Sequence, residues 1–185
     1  MSAQPEGASI LIVDEEAELA DLYAEYLRDA HSVDVAYNGA DAIKMLSKGY
    51  DVVLIDRRMP QVSGTDVLAA LKDKEMDSRV AMVTAVDPDF EIIDLPIDDY
   101  LVKPVSGQEI RETVDRLVTI QEYNDCVQTL TSKKLKRNVL EVEKPIGNLQ
   151  NSAEFDELTA EIERLEEEVE ALGAKLDIEP FVRED

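Results

Sequence analysis

One cysteine, one histidine and no tryptophan occur among the 185 residues, and aromatic residues make up 5%. Each shortage removes a class of function. A lone Cys126 cannot form an internal disulfide, which suits a reducing cytoplasm. A lone His31 excludes imidazole metal clusters and any Ser-His or Cys-His machinery built on a second histidine, and it reads as a surface loop residue. Basic residues are scarce, 19 against 42 acidic ones. No stretch approaches the roughly 18 apolar residues a membrane span needs. The start, Met1 to Gly7, has neither a basic n-region nor an apolar h-region. A soluble, cytoplasmic protein without membrane contact is expected.

What is present is apolar content of 44%, enough for a core, and a formal net charge of −23. The length suits one ordinary domain plus an extension. Residues 1–120 carry 25 acidic and 11 basic groups, net −14; residues 121–185 carry 17 and 8, net −9. An evenly acidic surface repels nucleic acid phosphates at long range. It also repels itself at low salt, and high ionic strength screens that repulsion. The pattern resembles the proteins of halophilic archaea.

Residues 8–120 alternate short apolar runs with helical periodicity. Strands are expected near 9–13, 33–36, 51–55, 80–84 and 99–102. The first helix, about 16–30, has Leu19, Leu22, Tyr23, Tyr26 and Leu27 at helical spacing. The second opens at Asn38 as N-cap and stops at Gly49. The third covers about 64–74. A short fourth is expected with Asp87 as cap, Pro88 at its first position and Pro96 ending it. The fifth opens on the capping box Ser106-Gly107-Gln108-Glu109. Alternating strands and helices indicate an α/β fold, a doubly wound five-stranded parallel sheet covered on both faces.

The strands end in chemistry. Ile10 to Val13 runs into Asp14-Glu15, Val52 to Ile55 into Asp56, Val80 to Val83 into Thr84, and Tyr100 to Val102 into Lys103. In open α/β sheets the carboxyl ends of strands carry the ligand site. Converging carboxylates repel unless a cation sits among them, and an oxygen-only set suits Mg²⁺. Asp56 is a plausible nucleophile toward an activated phosphoryl group. Lys103 would supply a further cation, and Thr84 a hydroxyl. Singly, each residue has an ordinary reading as a turn, strand or solvated group. The joint placement at successive strand ends carries the signal.

These pieces match a family. Val13-Asp14-Glu15, Leu54-Ile55-Asp56-Arg57-Arg58-Met59-Pro60, Val83-Thr84-Ala85 and Tyr100-Leu101-Val102-Lys103-Pro104 resemble the receiver domain of two-component response regulators, over residues 8–120. The resemblance implies the flavodoxin-like strand order 2-1-3-4-5. It implies that Asp56 is the phosphoacceptor for a sensor histidine kinase. It implies that Asp14, Glu15, Asp56 and the backbone carbonyl of Arg58 hold Mg²⁺, and that Thr84 and Lys103 hold the phosphoryl group. Tyr100 is then the aromatic that moves inward with Thr84 on activation. The stretch from Thr84 to Lys103 is short for the family, and Ile97-Asp98-Asp99 replaces its usual Gly-Ala. An aspartyl-phosphate phosphatase on the same fold needs a second Asp two residues after the nucleophile. Arg58 stands there and argues against it.

Beyond 120 the fifth helix has no evident stop before Lys144-Pro145-Ile146-Gly147-Asn148. A second long helix is expected from Asn151, with Glu154 completing a capping box. Its apolar residues Phe155, Leu158, Ile162, Leu165, Val169, Leu172 and Leu176 recur at alternating gaps of three and four, a heptad seam. The partner for that seam is the upstream helix folded back as a hairpin, or a second chain in a coiled coil. Residues 121–185 resemble the HalX-type extension that follows receiver domains in halophilic archaea, which implies a part in transcription regulation. A homodimer through this helix, or through the face of the fourth and fifth helices, is a further expectation. Lys133, Lys134, Lys136 and Arg137 are the candidate nucleic-acid contacts. In a hairpin the same cluster would instead neutralise Glu154, Asp156, Glu157 and Glu161, and no DNA-binding signature accompanies it.

Overall fold

The computed structural model describes residues 7–178. The expectation resting on residues 1–6, and the part of the extension over 179–185, lie outside the described residues. The chain divides into two compact units, Met1–Val118 and Thr119–Asp185.

The first unit is built on β1 (Ser9–Val13), β2 (Ser32–Ala36), β3 (Val52–Ile55), β4 (Arg79–Thr84) and β5 (Asp99–Val102). All pairings are parallel, in the order β2-β1-β3-β4-β5. Central strands bury both faces, which is why β1 and β3 read as unbroken apolar runs. Period-two alternation then sorts their residues. Leu11, Val13, Val53, Ile55 and Met82 join Ala42, Leu46, Val67, Leu68 and Leu71 in one core. The last five come from α2 (Gly39–Met45), from a 3₁₀ turn over Leu46–Lys48 and from α3 (Gly64–Asp73). Ile10, Ile12 and Leu54 point to the opposite face. The buried side chains left for that face are Ala20, Ala24 and Leu27 of α1 (Ala17–Leu27) and Ile110, Val114 and Leu117 of α4 (Gly107–Glu143).

Local signals work where expected. Asn38 accepts from the Asp41 amide at 2.8 Å, and Ser106 and Glu109 exchange a capping box. Four expectations need correction. The third strand begins at Val52, because the Asp51 carboxylate instead takes the amide and hydroxyl of Ser9. Helix α1 ends at Leu27, where His31 and Ala30 close the turn on its carbonyl. The expected fourth helix is only a 3₁₀ turn, Phe90–Asp94, capped by Asp89 rather than Asp87. Pro96 leaves no room for a second turn before β5, so the expected fifth helix is α4. His31 is no surface loop residue: its side chain is 11% exposed, and Nδ1 accepts from the Ala8 amide at 3.2 Å.

In the second unit, α6 (Ala153–Lys175) runs antiparallel to the Thr119–Glu143 part of α4, after a four-residue α5 (Ile146–Leu149). The cap of α6 is Ser152, whose hydroxyl accepts from the Phe155 amide and donates to Glu154. Asn151 stands outside the helix and donates to the Gly147 carbonyl. Ile162 and Leu172 of the heptad seam are buried, and its other five residues are half-buried. The seam is therefore closed within the chain, as a hairpin.

One close approach ties the fold to the strand ends. Gly64 opens α3 beneath the loop after β3, and a Cβ there would sit 2.3 Å from the Asp56 carbonyl oxygen. Its amide donates to the Arg57 carbonyl at 3.0 Å. Backbone cannot yield as a flexible side chain can. Gly64→Ala is therefore expected to cost about 1–3 kcal/mol, read as a lowered denaturant midpoint in concentrated salt; an unchanged midpoint would show that this loop is free to shift.

Candidate functional site

The parallel register brings the strand ends together. Val13 pairs with Ile55, so Asp14 and Asp56 follow side by side. The Asp56 amide donates to the Val13 carbonyl at 2.8 Å. On the other flank Thr84 pairs with Val102, and the Lys103 amide donates to the Thr84 carbonyl at 2.8 Å. Asp14 is 2% exposed, Asp56 7% and Thr84 0%.

Lys103 reaches across the sheet edge. Its ammonium donates to Asp14 Oδ2 at 2.7 Å, to Asp56 Oδ2 at 3.0 Å and to Glu16 Oε1 at 3.3 Å. Two backbone amides add support: that of Glu16 donates to Asp14 Oδ1 at 2.9 Å, and that of Arg58 to Asp56 Oδ1 at 3.1 Å. Burial pushes the Asp14 carboxyl up, and the Lys103 ammonium and the Glu16 amide only partly counter it. Burial acts on Lys103 in the downward sense, but its bonds to Asp14 and Asp56 outweigh this and hold it well above its ordinary value.

The carboxylates that converge are Asp14, Glu16 and Asp56, with ligand oxygens within 4.8 Å of one another. Glu15 is exposed on the same turn and outside this group. Three carboxylates face one ammonium, so two negative charges stand uncompensated. That donor set, hard oxygens with an excess of negative charge, fits a divalent cation such as Mg²⁺.

Thr84 Oγ1 accepts from the Val86 amide at 3.4 Å. The Tyr100 hydroxyl donates to the Val86 carbonyl at 2.7 Å, and its ring packs half-buried against the core. The residue after Asp56 has a place that the sequence pattern did not suggest. Arg57 donates to Glu91 Oε2 of the 3₁₀ turn at 2.8 Å, and bonds to Tyr100 and Glu91 hold its guanidinium above its ordinary value. Only the adjacency of Arg57 to Asp56 was visible beforehand; Glu91 lies far along the chain.

The basic cluster lies in the second unit. Lys133 bonds Glu161 Oε2 at 2.7 Å, and Lys134 pairs with Glu166. Arg137 Nε lies 3.8 Å from Glu141. Lys136 is exposed.

Fold and site together define a receiver-type α/β domain followed by a helical hairpin. Comparison with known proteins agrees. The response regulator receiver domain family matches residues 10–115, and the HalX domain family matches residues 119–184. A candidate transcriptional regulator of Haloferax volcanii is 37% identical over 163 residues, 88% of this chain and 28% of that protein. The transcriptional regulatory protein CutR of Streptomyces coelicolor is 41% identical over 106 residues, 55% of this chain and 49% of its own length. The chain thus spans half or less of the length of these relatives. Among solved structures, a CheY-like receiver domain from Methanospirillum hungatei is 27% identical with a TM-score of 0.56, covering 62% of this chain and 96% of that one. Another from Methylobacillus flagellatus is also 27% identical, with a TM-score of 0.55 over 60% of this chain and 99% of its own. The chain belongs to the response regulators of two-component systems, with a receiver domain followed by a HalX domain. Among the described residues, no helix is long and apolar enough to cross a membrane.

Lys103 is the counter-charge that lets Asp14 and Asp56 be buried together. Its raised pKa means its stabilisation is present at neutral pH and is lost only as pH climbs through that raised value. Asp14 has the same sign: its raised pKa makes its ionised form costly, so its stabilising contribution fades as pH rises through the folded value. Lys103→Met is therefore expected to lose about 3–5 kcal/mol near neutral pH. Part of the loss should return on acidification, as Asp14 takes up a proton. Denaturant midpoints with divalent metals chelated, near pH 7 and near pH 5, check this; a variant equally stable at both would remove Lys103 from that role.

Proposed function

We propose that Asp56 is the phosphoacceptor of this response regulator and that a sensor histidine kinase is its donor. The observation that carries the reading is the Asp14–Lys103–Asp56 cluster at the carboxyl edge of the sheet. An Asp56 oxygen forms the new O–P bond while the P–N bond of a phosphohistidine breaks. The electron pair leaves with the imidazole, which takes a proton from solvent. Lys103 and the Thr84 hydroxyl hold the transferred phosphoryl oxygens. Asp14, Asp56 and the Arg58 carbonyl hold Mg²⁺, together with Glu15 or Glu16. The metal supplies charge neutralisation on the transferring group.

The receiver spans 8–120 and the output extension 121–185. A phosphoryl group adds about −1.5 to −2 charge at Asp56. Thr84 and Lys103 turn toward it and Tyr100 follows, biasing the state passed to the extension. The output is regulation of transcription, as the names of the Haloferax and Streptomyces relatives suggest for those proteins. A second reading, a protein-interaction module without DNA contact, is favoured by one observation: carboxylates of α6 already occupy Lys133 and Lys134.

Incubation with Mg²⁺ and a small acyl phosphate in concentrated salt should add one phosphate mass to the intact chain. The gain should vanish in Asp56→Asn and on chelation. Parallel Glu15→Gln and Glu16→Gln titrations with Mg²⁺ identify which carboxylate completes the metal set. No mass gain on the wild-type chain would sink the reading, and multiple turnover of the donor would point to a phosphatase.

A further inference from the structure

The α4 face turned away from α6 carries an apolar stripe that none of the described residues covers. Leu135 is 61% exposed, Val139 60% and Val142 81%, and Ile146, just beyond the helix, is 72% exposed. Gaps of four and three set the three helical residues within a narrow band of one face. This stripe is distinct from the α6 seam, which is closed within the hairpin.

Of the charges on this segment, Lys133, Lys134 and Arg137 are taken up by Glu161, Glu166 and Glu141, and Lys144 falls on the side of the helix opposite the stripe. Lys136 and Glu143, seven residues apart and both exposed, occupy equivalent places beside the stripe and take part in none of the ion pairs among the described residues. Such a segment is complementary to itself only when reversed. Laid parallel, two copies set Lys136 beside Lys136 and Glu143 beside Glu143. Laid antiparallel, they place Lys136 of each beside Glu143 of the other.

We infer that this face binds a second copy of the chain, as an antiparallel two-fold pair of α4 helices. Val139 of one copy meets Val142 of the other, and Leu135 meets Ile146. The interface is isologous and closes at two chains. A cleft of about 460 Å³ whose walls include Ile146, Leu149 and Phe155 opens beside the stripe, at the end where the other copy's Leu135 arrives. The pairing draws on no property of Asp56, so it stands or falls apart from the phosphoacceptor reading.

Light scattering on the full, unphosphorylated chain in concentrated salt should show the mass rising from one chain toward two with concentration. Val139→Glu, at an exposed position where the hairpin loses no packing, should remain a single chain with unchanged circular dichroism. A spin label at Gln128→Cys, in a Cys126→Ser background that retains the mass increase, reports direction. With Val139 opposite Val142, the two labels are about 40 Å apart along antiparallel helices at 1.5 Å rise per residue. Side by side in a parallel pair they are about 10 Å apart. A wild-type chain that stays single at every concentration, a pair that survives Val139→Glu, or a short label distance would each overturn the inference.

Discussion

A buried ammonium held between two buried carboxylates is the constraint around which the receiver is arranged. Lys103 joins the end of β5 to the ends of β1 and β3 across the sheet edge. Those groups lose water on burial, and their opposite charges offset that loss. Strand register, the short loop clamped over Gly64 and the backbone amides of Glu16 and Arg58 all serve to keep that geometry. An arrangement in which one cation answers three carboxylates is tolerable in isolation, and it still favours further positive charge.

Around that centre the other elements are linked by single contacts. Tyr100 touches the Val86 carbonyl, and the Val86 amide touches Thr84. Arg57, beside Asp56, bonds the 3₁₀ turn that stands where a helix was expected. A short turn with Phe90 and Ile93 exposed has little packing of its own. It is held by such polar ties, among them those of Arg57 to Glu91 and Tyr100. In the second unit the acidity has a local use. Glu161 and Glu166 meet Lys133 and Lys134 along the hairpin, so part of the basic cluster is structural.

Asp14, Asp56, Thr84 and Lys103 were legible because each ends an apolar run, and parallel strands put such ends on one edge. The Asn38 and Ser106 caps were legible because their hydrogen bonds close within a few residues. Glu15 was expected beside Asp14 and Asp56, but Glu16 is the residue that converges on them, since adjacent residues of a turn point in directions that local sequence does not specify. The caps at Asp89 and Ser152 and the burial of His31 were not foreseen. At the two caps several polar residues stood within reach of each helix start, and for His31 the partner, the Ala8 amide, is distant in sequence.

The sequence by itself determined the parallel α/β architecture, the residues gathered at its carboxyl edge and the heptad seam of the last helix. These follow from periodicity and from strand direction, which are local properties. Tertiary structure alone decided that Glu16 joins Asp14 and Asp56, that Lys103 bridges them, and that Arg57 reaches Glu91. It alone decided that the seam closes within the chain and leaves the Leu135 face open. Each of these depends on which side chains meet across long stretches of chain, and no local pattern encodes that meeting.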